Sequence, residues 1–167
     1  MAYRKQRQIV KARPFLIAAL VSGAALIASA GAVQAQTCEG AADGGTRLNV
    51  IVNGVRAAEG QIAVTIYPDK ARRFLAPGGK LLRVRTRAVA PTTRACFNLP
   101  EAGTYAVVIY HDADGDSDFD RSAIGRPTEG FGFSNDAPAR LGLPSFRSVR
   151  FAVTPGDNTI RIQTRYP

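Results

Sequence analysis

The residues best suited to chemistry in this 167-residue chain form a run of alternating carboxylates. Asp112, Asp114, Asp116, Asp118 and Asp120 place five carboxylates close together along the chain, and unscreened charges at such spacing repel one another. A hard cation such as Ca²⁺ takes about six to eight oxygen ligands and offsets that repulsion. The run is therefore a candidate loop for weak calcium binding, with Asp112, Asp114, Asp116 and Asp120 as the preferred ligands.

The carboxylate run does not follow the EF-hand pattern. When Asp112 is taken as the first position, Ser117 stands where that motif needs glycine, and Ala123 stands where it needs glutamate. The alternative is a solvated loop of Asx turns, because Asp and Gly favour such turns without any metal. The sequence leaves both interpretations open.

A second group of candidate contact residues follows the carboxylates. The segment Gly130-Phe-Gly-Phe-Ser-Asn135 lacks the third glycine of a dinucleotide-binding fingerprint, and no helical pattern follows it. Its two phenylalanines either pack the loop onto the domain, which is the more frequent role of apolar rings, or line a groove. The candidate ligand-loop residues are His111, Glu129, Phe131, Phe133 and Asn135, with Tyr67 and Tyr110 as further aromatic contacts for a carbohydrate or peptide.

No complete catalytic set is visible in the sequence. There is no Gly-x-Ser-x-Gly elbow and no Cys-x-x-Cys motif. His111 is the single imidazole, so a Ser–His–Asp triad would have to use it, and we expect it to form structural hydrogen bonds instead. We therefore predict a non-catalytic protein that requires no cofactor, and a hydrolase using His111 and the loop carboxylates is the alternative.

Short strands must position these residues. Period-two patterns predict strands at about 47–52, 61–66, 82–87, 92–98, 146–153 and 160–165. A further strand at 105–111 is apolar on both faces, so we expect it to be central. A single helical turn is predicted near 70–75, and Gly103-Thr104-Tyr105 is similar to a tyrosine corner. The fold expected for residues 46–167 is a single antiparallel β-sandwich, immunoglobulin-like or transthyretin-like, with about seven strands. One long decorated loop separates His111 from Phe146.

The N-terminus has the pattern of an export signal. Residues 1–13 are basic without an acid, residues 15–33 are apolar, and Val33-Gln34-Ala35 forms a small-x-small cleavage site. We predict a signal peptide at 1–35, a mature N-terminal tail at 36–45 and a periplasmic or secreted protein. An uncleaved membrane anchor is the alternative.

Charge and cysteines carry two further expectations. The formal net charge of +9 falls to +4 once residues 1–35 are removed, so nucleic-acid binding loses its main support. The row Arg83, Arg85 and Arg87 either meets anionic envelope lipid or protects an exposed strand face.

Cys38 and Cys96 form the one possible intramolecular disulfide, which an oxidising compartment favours over two free thiols or pairing between chains.

A long signature resembles a known bacterial family. The strand Gly103-Thr-Tyr-Ala-Val-Val-Ile-Tyr-His-Asp112, the Asp-rich turn and Gly125-Arg-Pro-Thr-Glu-Gly-Phe-Gly-Phe-Ser-Asn135 closely resemble the exported family Domain of Unknown Function 2141 (DUF2141) over about residues 46–166. Members of that family commonly carry Asn and Gly in this turn, so the turn is more anionic here. The resemblance implies an exported β-sandwich without an established activity. We therefore predict a binding or structural module of the bacterial envelope. The sequence does not identify its ligand or envelope partner. We expect contact with a membrane only through the signal segment.

Overall fold

A computed structural model describes residues 37–139 and 142–167. The predicted signal peptide lies outside these described residues. In the part of the chain that the structure describes, no helix is both long and apolar enough to cross a membrane.

Short β-strands dominate the described residues, as the alternating sequence pattern predicts. One four-residue helix, α1 (Phe146–Val149), and two 3-10 turns at Ala71–Arg73 and Ser134–Asp136 interrupt them. The eight described strands are β1 (Thr46–Asn53), β2 (Gln61–Pro68), β3 (Leu82–Arg87), β4 (Thr92–Leu99), β5 (Gly103–Asp112), β6 (Gly130–Phe133), β7 (Phe151–Val153) and β8 (Gly156–Gln163).

The strands form two sheets. The first has the order β4-β1-β8, with β1 antiparallel to β4 and parallel to β8. The second has the order β3-β2-β5-β6, and β2 pairs along one edge of β5. Along the other edge of β5, β7 pairs with residues 103–105 and β6 with residues 108–111. The pairing is mostly antiparallel, so the predicted all-β sandwich is confirmed.

The core between the two sheets consists of the alternating apolar positions. Each such side chain that leaves water contributes about 1.5–3 kcal/mol to folding. Tyr105 also donates its hydroxyl to the carbonyl of Glu101 at 2.9 Å, as a tyrosine corner requires. Fully buried members of the core are Leu48, Val50 and Val52 of β1, Ile62, Val64 and Ile66 of β2, Phe97 and Leu99 of β4, Val107 and Ile109 of β5, and Ile162 of β8.

Two local predictions differ from the structure. Residues 146–149 form α1 and not the first half of a strand, because Val149 and the ring of Phe146 pack into a second apolar cluster. Residues 130–133 form β6, although the sequence indicated loop. Gly132 makes this strand possible: a Cβ there would lie 2.8 Å from the Ile162 side chain and from the Gln163 carbonyl oxygen.

The predicted disulfide joins Cys38 to Cys96. It ties the segment before β1 to β4, and two backbone hydrogen bonds reinforce the attachment. The Glu39 N–H donates to the Cys96 carbonyl at 2.9 Å, and the Asn98 N–H donates to the Glu39 carbonyl at 2.8 Å.

The second apolar cluster lies on the other face of the five-stranded sheet. Tyr67 of β2 and Ala106 and Val108 of β5 project from this face. They alternate along their strands with the residues that point into the core. The 3-10 turn after β2 and the chain after β6 pack over these residues. This outer face of the sheet, rather than the interior of the sandwich, positions the candidate site.

Candidate ligand-binding site

The Asp-rich turn begins at a carboxylate that is completely buried. Asp112 ends β5, where its Oδ1 accepts the Gly115 N–H at 2.8 Å and its Oδ2 accepts the Ser117 N–H at 3.1 Å. The buried charge is thus held by hydrogen bonds from the backbone of its own turn.

The exposed aspartates continue a series of Asx turns. The Oδ1 of Asp114 accepts the Asp116 N–H at 3.2 Å, and the Oδ1 of Asp116 accepts the Asp118 N–H at 2.7 Å. One carboxylate oxygen each from Asp112, Asp114 and Asp116 lies within 4.8 Å of the other two. Of the described residues, these three form the group with metal-ligand spacing, and Asp120 does not belong to it. Both interpretations of the turn therefore have geometric support.

Glu129 closes the turn. Its Oε1 accepts the Ala113 N–H and its Oε2 accepts the Asp120 N–H, each at 3.1 Å, so one carboxylate holds both ends of the turn. Burial raises the pKa of Glu129; the two N–H donors oppose this increase, and the charges of Asp112 and Asp120 add to it. The sequence predicted that Glu129 is a ligand-loop residue. In the structure its carboxylate bridges the backbone of Ala113 and Asp120.

The pKa of Asp120 is also raised. Loss of solvation is the largest cause, and the neighbouring carboxylates add to it, with Asp116 and Asp114 contributing more than Asp118 and Asp112. Asp120 therefore carries its negative charge at an electrostatic cost.

Arg85 and Tyr110 attach the turn to the sheet. One Nη of Arg85 donates to the Ser117 carbonyl at 2.6 Å and to the Tyr110 hydroxyl at 3.0 Å, and that hydroxyl donates to the same carbonyl at 3.2 Å. Arg83 donates from Nε to the Thr65 hydroxyl at 2.7 Å. Of the predicted arginine row, Arg87 alone is exposed.

His111 lies away from the turn because successive side chains of a strand point to opposite faces. It is only 2% exposed. Its Nε2 lies 2.9 Å from the Glu59 carbonyl and its Nδ1 lies 2.7 Å from the Tyr166 hydroxyl. A carbonyl only accepts, so Nε2 carries a proton. The Tyr166 hydroxyl also accepts the Arg56 N–H at 3.1 Å, so both ring nitrogens of His111 and this hydroxyl belong to one hydrogen-bonded group.

Asn135 holds the backbone after β6. It adopts a φ of 61°, a left-handed conformation that Asn tolerates. Its Nδ2 donates to the carbonyls of Ser148 and Arg150 at 3.1 and 3.0 Å, which ties this turn to the C-terminal end of α1. The structure therefore places the predicted loop residues Asn135 and His111 in structural hydrogen bonds and outside the cavity described next.

Phe131 and Phe133 contribute to an open cavity of about 460 Å³ on the outer face. Its floor includes Val108 and Tyr110 of β5. Neighbouring rings lie edge to face or tilted: Phe119 is 5.4 Å from Tyr110 and 6.0 Å from Phe131, and Phe131 is 6.0 Å from Phe133. These rings serve both roles that the sequence suggested, since they pack together and also line a groove.

A small hairpin forms the rim of this cavity. Arg121 forms a β-bridge with Pro127, and the Ser122 N–H donates to the Arg126 carbonyl at 2.8 Å. Arg121, Ile124 and Arg126 all line the cavity, and Ile124 is 79% exposed. The residues 121–127 are called the rim hairpin below.

Sequence reasoning missed the rim hairpin and the role of Phe119. Two signals were present: an aromatic residue stands inside the Asp-rich run, and two arginines flank an apolar residue in a tight turn. Tyr67, which the sequence did single out, lines the cavity, and its pKa is raised by burial although the charge and hydrogen bond of Arg83 oppose this.

A family model agrees with the resemblance seen in the sequence. The model described as "Uncharacterized protein conserved in bacteria (DUF2141)" matches residues 50–161 and so covers the second half of β1, the turn, the rim hairpin and most of β8. No curated protein and no solved structure matches the chain significantly.

Proposed function

Since the chain belongs to DUF2141, a family of uncharacterised bacterial proteins, we propose that it is an exported, non-catalytic module that binds a small ligand in the outer-face cavity. The cavity is the observation that carries this proposal. Ligand sites have volumes of about 300–1,000 Å³, mostly apolar walls and a few placed polar groups. A cavity of about 460 Å³, lined by rings and by three arginines, has these properties.

The open cavity favours a binding module over a purely structural one. The Asp-rich turn alone would suit a structural protein, because its carboxylates accept hydrogen bonds from their own backbone. Beside that turn, however, the aromatic surface remains open to solvent, with Ile124 exposed at its rim. Exposed apolar surface of this kind marks binding sites more often than it serves folding.

The hydrolase alternative receives no support from the geometry of His111. Both of its ring nitrogens are engaged, one by the Glu59 carbonyl and the other by the Tyr166 hydroxyl. Its ring projects from the opposite face of β5 to Tyr110, which lines the cavity. A general base must reach a substrate proton, and this arrangement leaves no ring nitrogen for that role.

Export is supported by two independent features. The sequence of residues 1–35 has the order of a signal peptide, and the Cys38–Cys96 bond suits an oxidising compartment such as the periplasm or the cell exterior. N-terminal sequencing of envelope-localised protein should find a chain that starts near Gln36. A cytoplasmic chain that retains Met1 would contradict export.

Ligand binding can be tested with an uncharged fluorescent probe. We expect phenylnaphthylamine to bind the purified, disulfide-bonded protein with a blue shift and increased emission. Val108→Phe, which adds bulk to the cavity floor, should weaken this binding about tenfold or more. Val89→Phe is the matched control, because Val89 is exposed and lies outside the cavity lining.

The outcomes of this titration are distinct. No response from the native protein, or equal binding by Val108→Phe and the native protein, would contradict a cavity site. If Val108→Phe fails to fold, Phe131→Ala replaces it: loss of a lining ring must change the affinity or the emission maximum of the probe.

A second candidate function is weak calcium binding by the Asp-rich turn, supported by the convergence of Asp112, Asp114 and Asp116. Extracellular calcium modules have dissociation constants of about 0.1–1 mM. Millimolar CaCl₂ should therefore raise the Tm by a few degrees more than NaCl of equal ionic strength. Asp114→Asn with Asp116→Asn should remove the difference. Equal shifts in both salts would indicate screening of crowded carboxylates and would exclude a bound ion.

A further inference from the structure

The outer-face cavity combines apolar walls with charge of one sign. Among the described residues that line it, three are arginines and none is acidic. The arginines come from two elements that are distant in sequence: Arg83 lies on β3, and Arg121 and Arg126 lie on the rim hairpin. The strongly acidic turn lies beside the cavity, yet its carboxylates are not part of the lining.

Two of the three arginines, Arg83 and Arg121, are held by contacts with neutral groups. Arg83 donates from Nε to the Thr65 hydroxyl at 2.7 Å, and Arg121 lies over the ring of Phe119 at 5.0 Å and donates to the Gly125 carbonyl at 3.3 Å. In the described residues the one ion pair joins Arg47 to Asp157, away from this site. Neutral partners therefore position Arg83 and Arg121, and no ion pair within the described residues neutralises any of the three arginines.

The remaining walls are mostly apolar. Val108, Leu75 and the rings of Phe131 and Phe133 belong to them, and Ile124 extends the apolar surface to the rim. A neutral apolar ligand would fit these walls but would leave the arginine charges without a partner. A cationic ligand would be repelled by them.

We infer that the cavity takes an amphipathic anion, a molecule with one carboxylate head group and an apolar chain. The chain would contact the aromatic and aliphatic walls, and the carboxylate would accept hydrogen bonds from the arginines. Guanidinium groups match a carboxylate in shape and can donate two parallel hydrogen bonds to it. This inference rests on the proposed function, since it names the ligand class of the same cavity.

Three ligands that share a decyl chain separate the contributions of chain and charge. Decanoate, decanol and decyltrimethylammonium are titrated into the purified, disulfide-bonded protein by calorimetry, below the concentrations at which they form micelles. We expect decanoate to bind about tenfold more tightly than decanol and the cation to bind more weakly than either. Added NaCl should weaken decanoate binding and leave decanol binding nearly unchanged.

Single arginine variants test the residues themselves. Arg83→Gln and Arg121→Gln should each weaken decanoate binding about three- to tenfold, the range expected for a partly exposed charged hydrogen bond. Neither should change the affinity for decanol. Arg87→Gln is the control for both variants, because it removes the same charge at a residue outside the cavity lining, and it is matched to Arg83→Gln by lying on the same strand.

The outcomes separate this inference from the proposed function. Equal affinities for decanoate and decanol, with no effect of the arginine variants, would overturn the anion inference while probe binding still supports a ligand cavity. Tighter binding of the cation would also overturn it. Decanoate binding that Val108→Phe does not weaken would place the anion outside the cavity and refute the assignment. If none of the three ligands nor the uncharged probe binds, the proposed function itself fails.

Discussion

At the scale of single residues, two carboxyl groups of the Asp-rich turn and its closing residue, Asp120 and Glu129, are ionised at an energetic cost. Asp120 and Glu129 have raised pKa values, and for both the loss of solvation is the largest cause. A carboxyl group whose pKa is higher in the folded than in the unfolded protein binds its proton more tightly when folded. Its contribution to stability is therefore greatest below the ordinary pKa, 3.8 for Asp and 4.5 for Glu, and is lost as the pH rises through the raised value.

Asp120→Asn should make the protein more stable at pH 7. The substitution removes a charge that its neighbours disfavour, and the hydrogen bonds found at this residue involve its backbone. The gain in Tm should shrink as the pH falls through the raised pKa of Asp120 and should vanish well below 3.8, where the carboxyl group is protonated in both states. Thermal unfolding at pH 7 and at about pH 2.5 measures both effects.

Asp69→Asn is the control for this prediction, because Asp69 is an exposed carboxylate outside the Asp-rich turn. A decrease in Tm for Asp120→Asn at pH 7 would show that the charge is compensated, for example by a bound cation.

At the scale of elements, the position of β6 depends on Gly132, which has no side chain. Gly132 lies between the Ile109 side chain and β8, and a Cβ would come within 2.8 Å of the Gln163 carbonyl oxygen. Because that atom belongs to the backbone, a larger residue must displace a strand. The same strand carries Phe131 and Phe133, so the position of β6 also sets the walls of the cavity.

Gly132→Ala should reduce the free energy of unfolding by about 1–3 kcal/mol, the usual cost of overpacking. It should also weaken binding of the uncharged probe, because β6 moves. Gly103→Ala is the matched control: Gly103 is also a strand glycine, but a Cβ there would meet its nearest neighbour, the Tyr105 ring, at an ordinary 3.8 Å. Equal stability of the two variants in urea unfolding would contradict this account of β6.

At the scale of the whole molecule, the disulfide restricts the unfolded chain. Cys38 and Cys96 are 58 residues apart in sequence, and closing a loop of this size stabilises the folded state by on the order of 4 kcal/mol in the chain-entropy model. Reduction of the purified protein should lower the free energy of unfolding by about that amount. Urea unfolding of oxidised and reduced protein measures it with every side chain retained.

The double variant Cys38→Ala with Cys96→Ala serves as a check on reduction, since it cannot reoxidise. It should resemble the reduced protein, apart from a small additional loss where the buried Cys96 side chain is shortened. A reduced protein as stable as the oxidised one would mean that hydrogen bonds between residues 38–40 and β4 alone hold the N-terminal segment.

The sequence by itself determined the features that depend on local order. Alternation of apolar residues predicted β1, β2, β3, β4 and β8, because a strand with one face in the core buries every second side chain. An apolar run on both faces predicted β5, which is central and is buried on both sides. The Asx turns of the carboxylate run also follow from neighbouring residues. The cysteine pair and the family signature needed no structure either.

Only the tertiary structure decided what the predicted loop residues do. The segments 130–133 and 146–149 took conformations set by contacts with distant parts of the chain, such as Gly132 against Ile162 and Phe146 against Phe74. The cavity is likewise formed by β2, β3, β5, β6 and the rim hairpin together. Its three arginines are separated by up to 43 residues in sequence, and no local pattern relates residues that meet only when the chain folds over the outer face of the sheet.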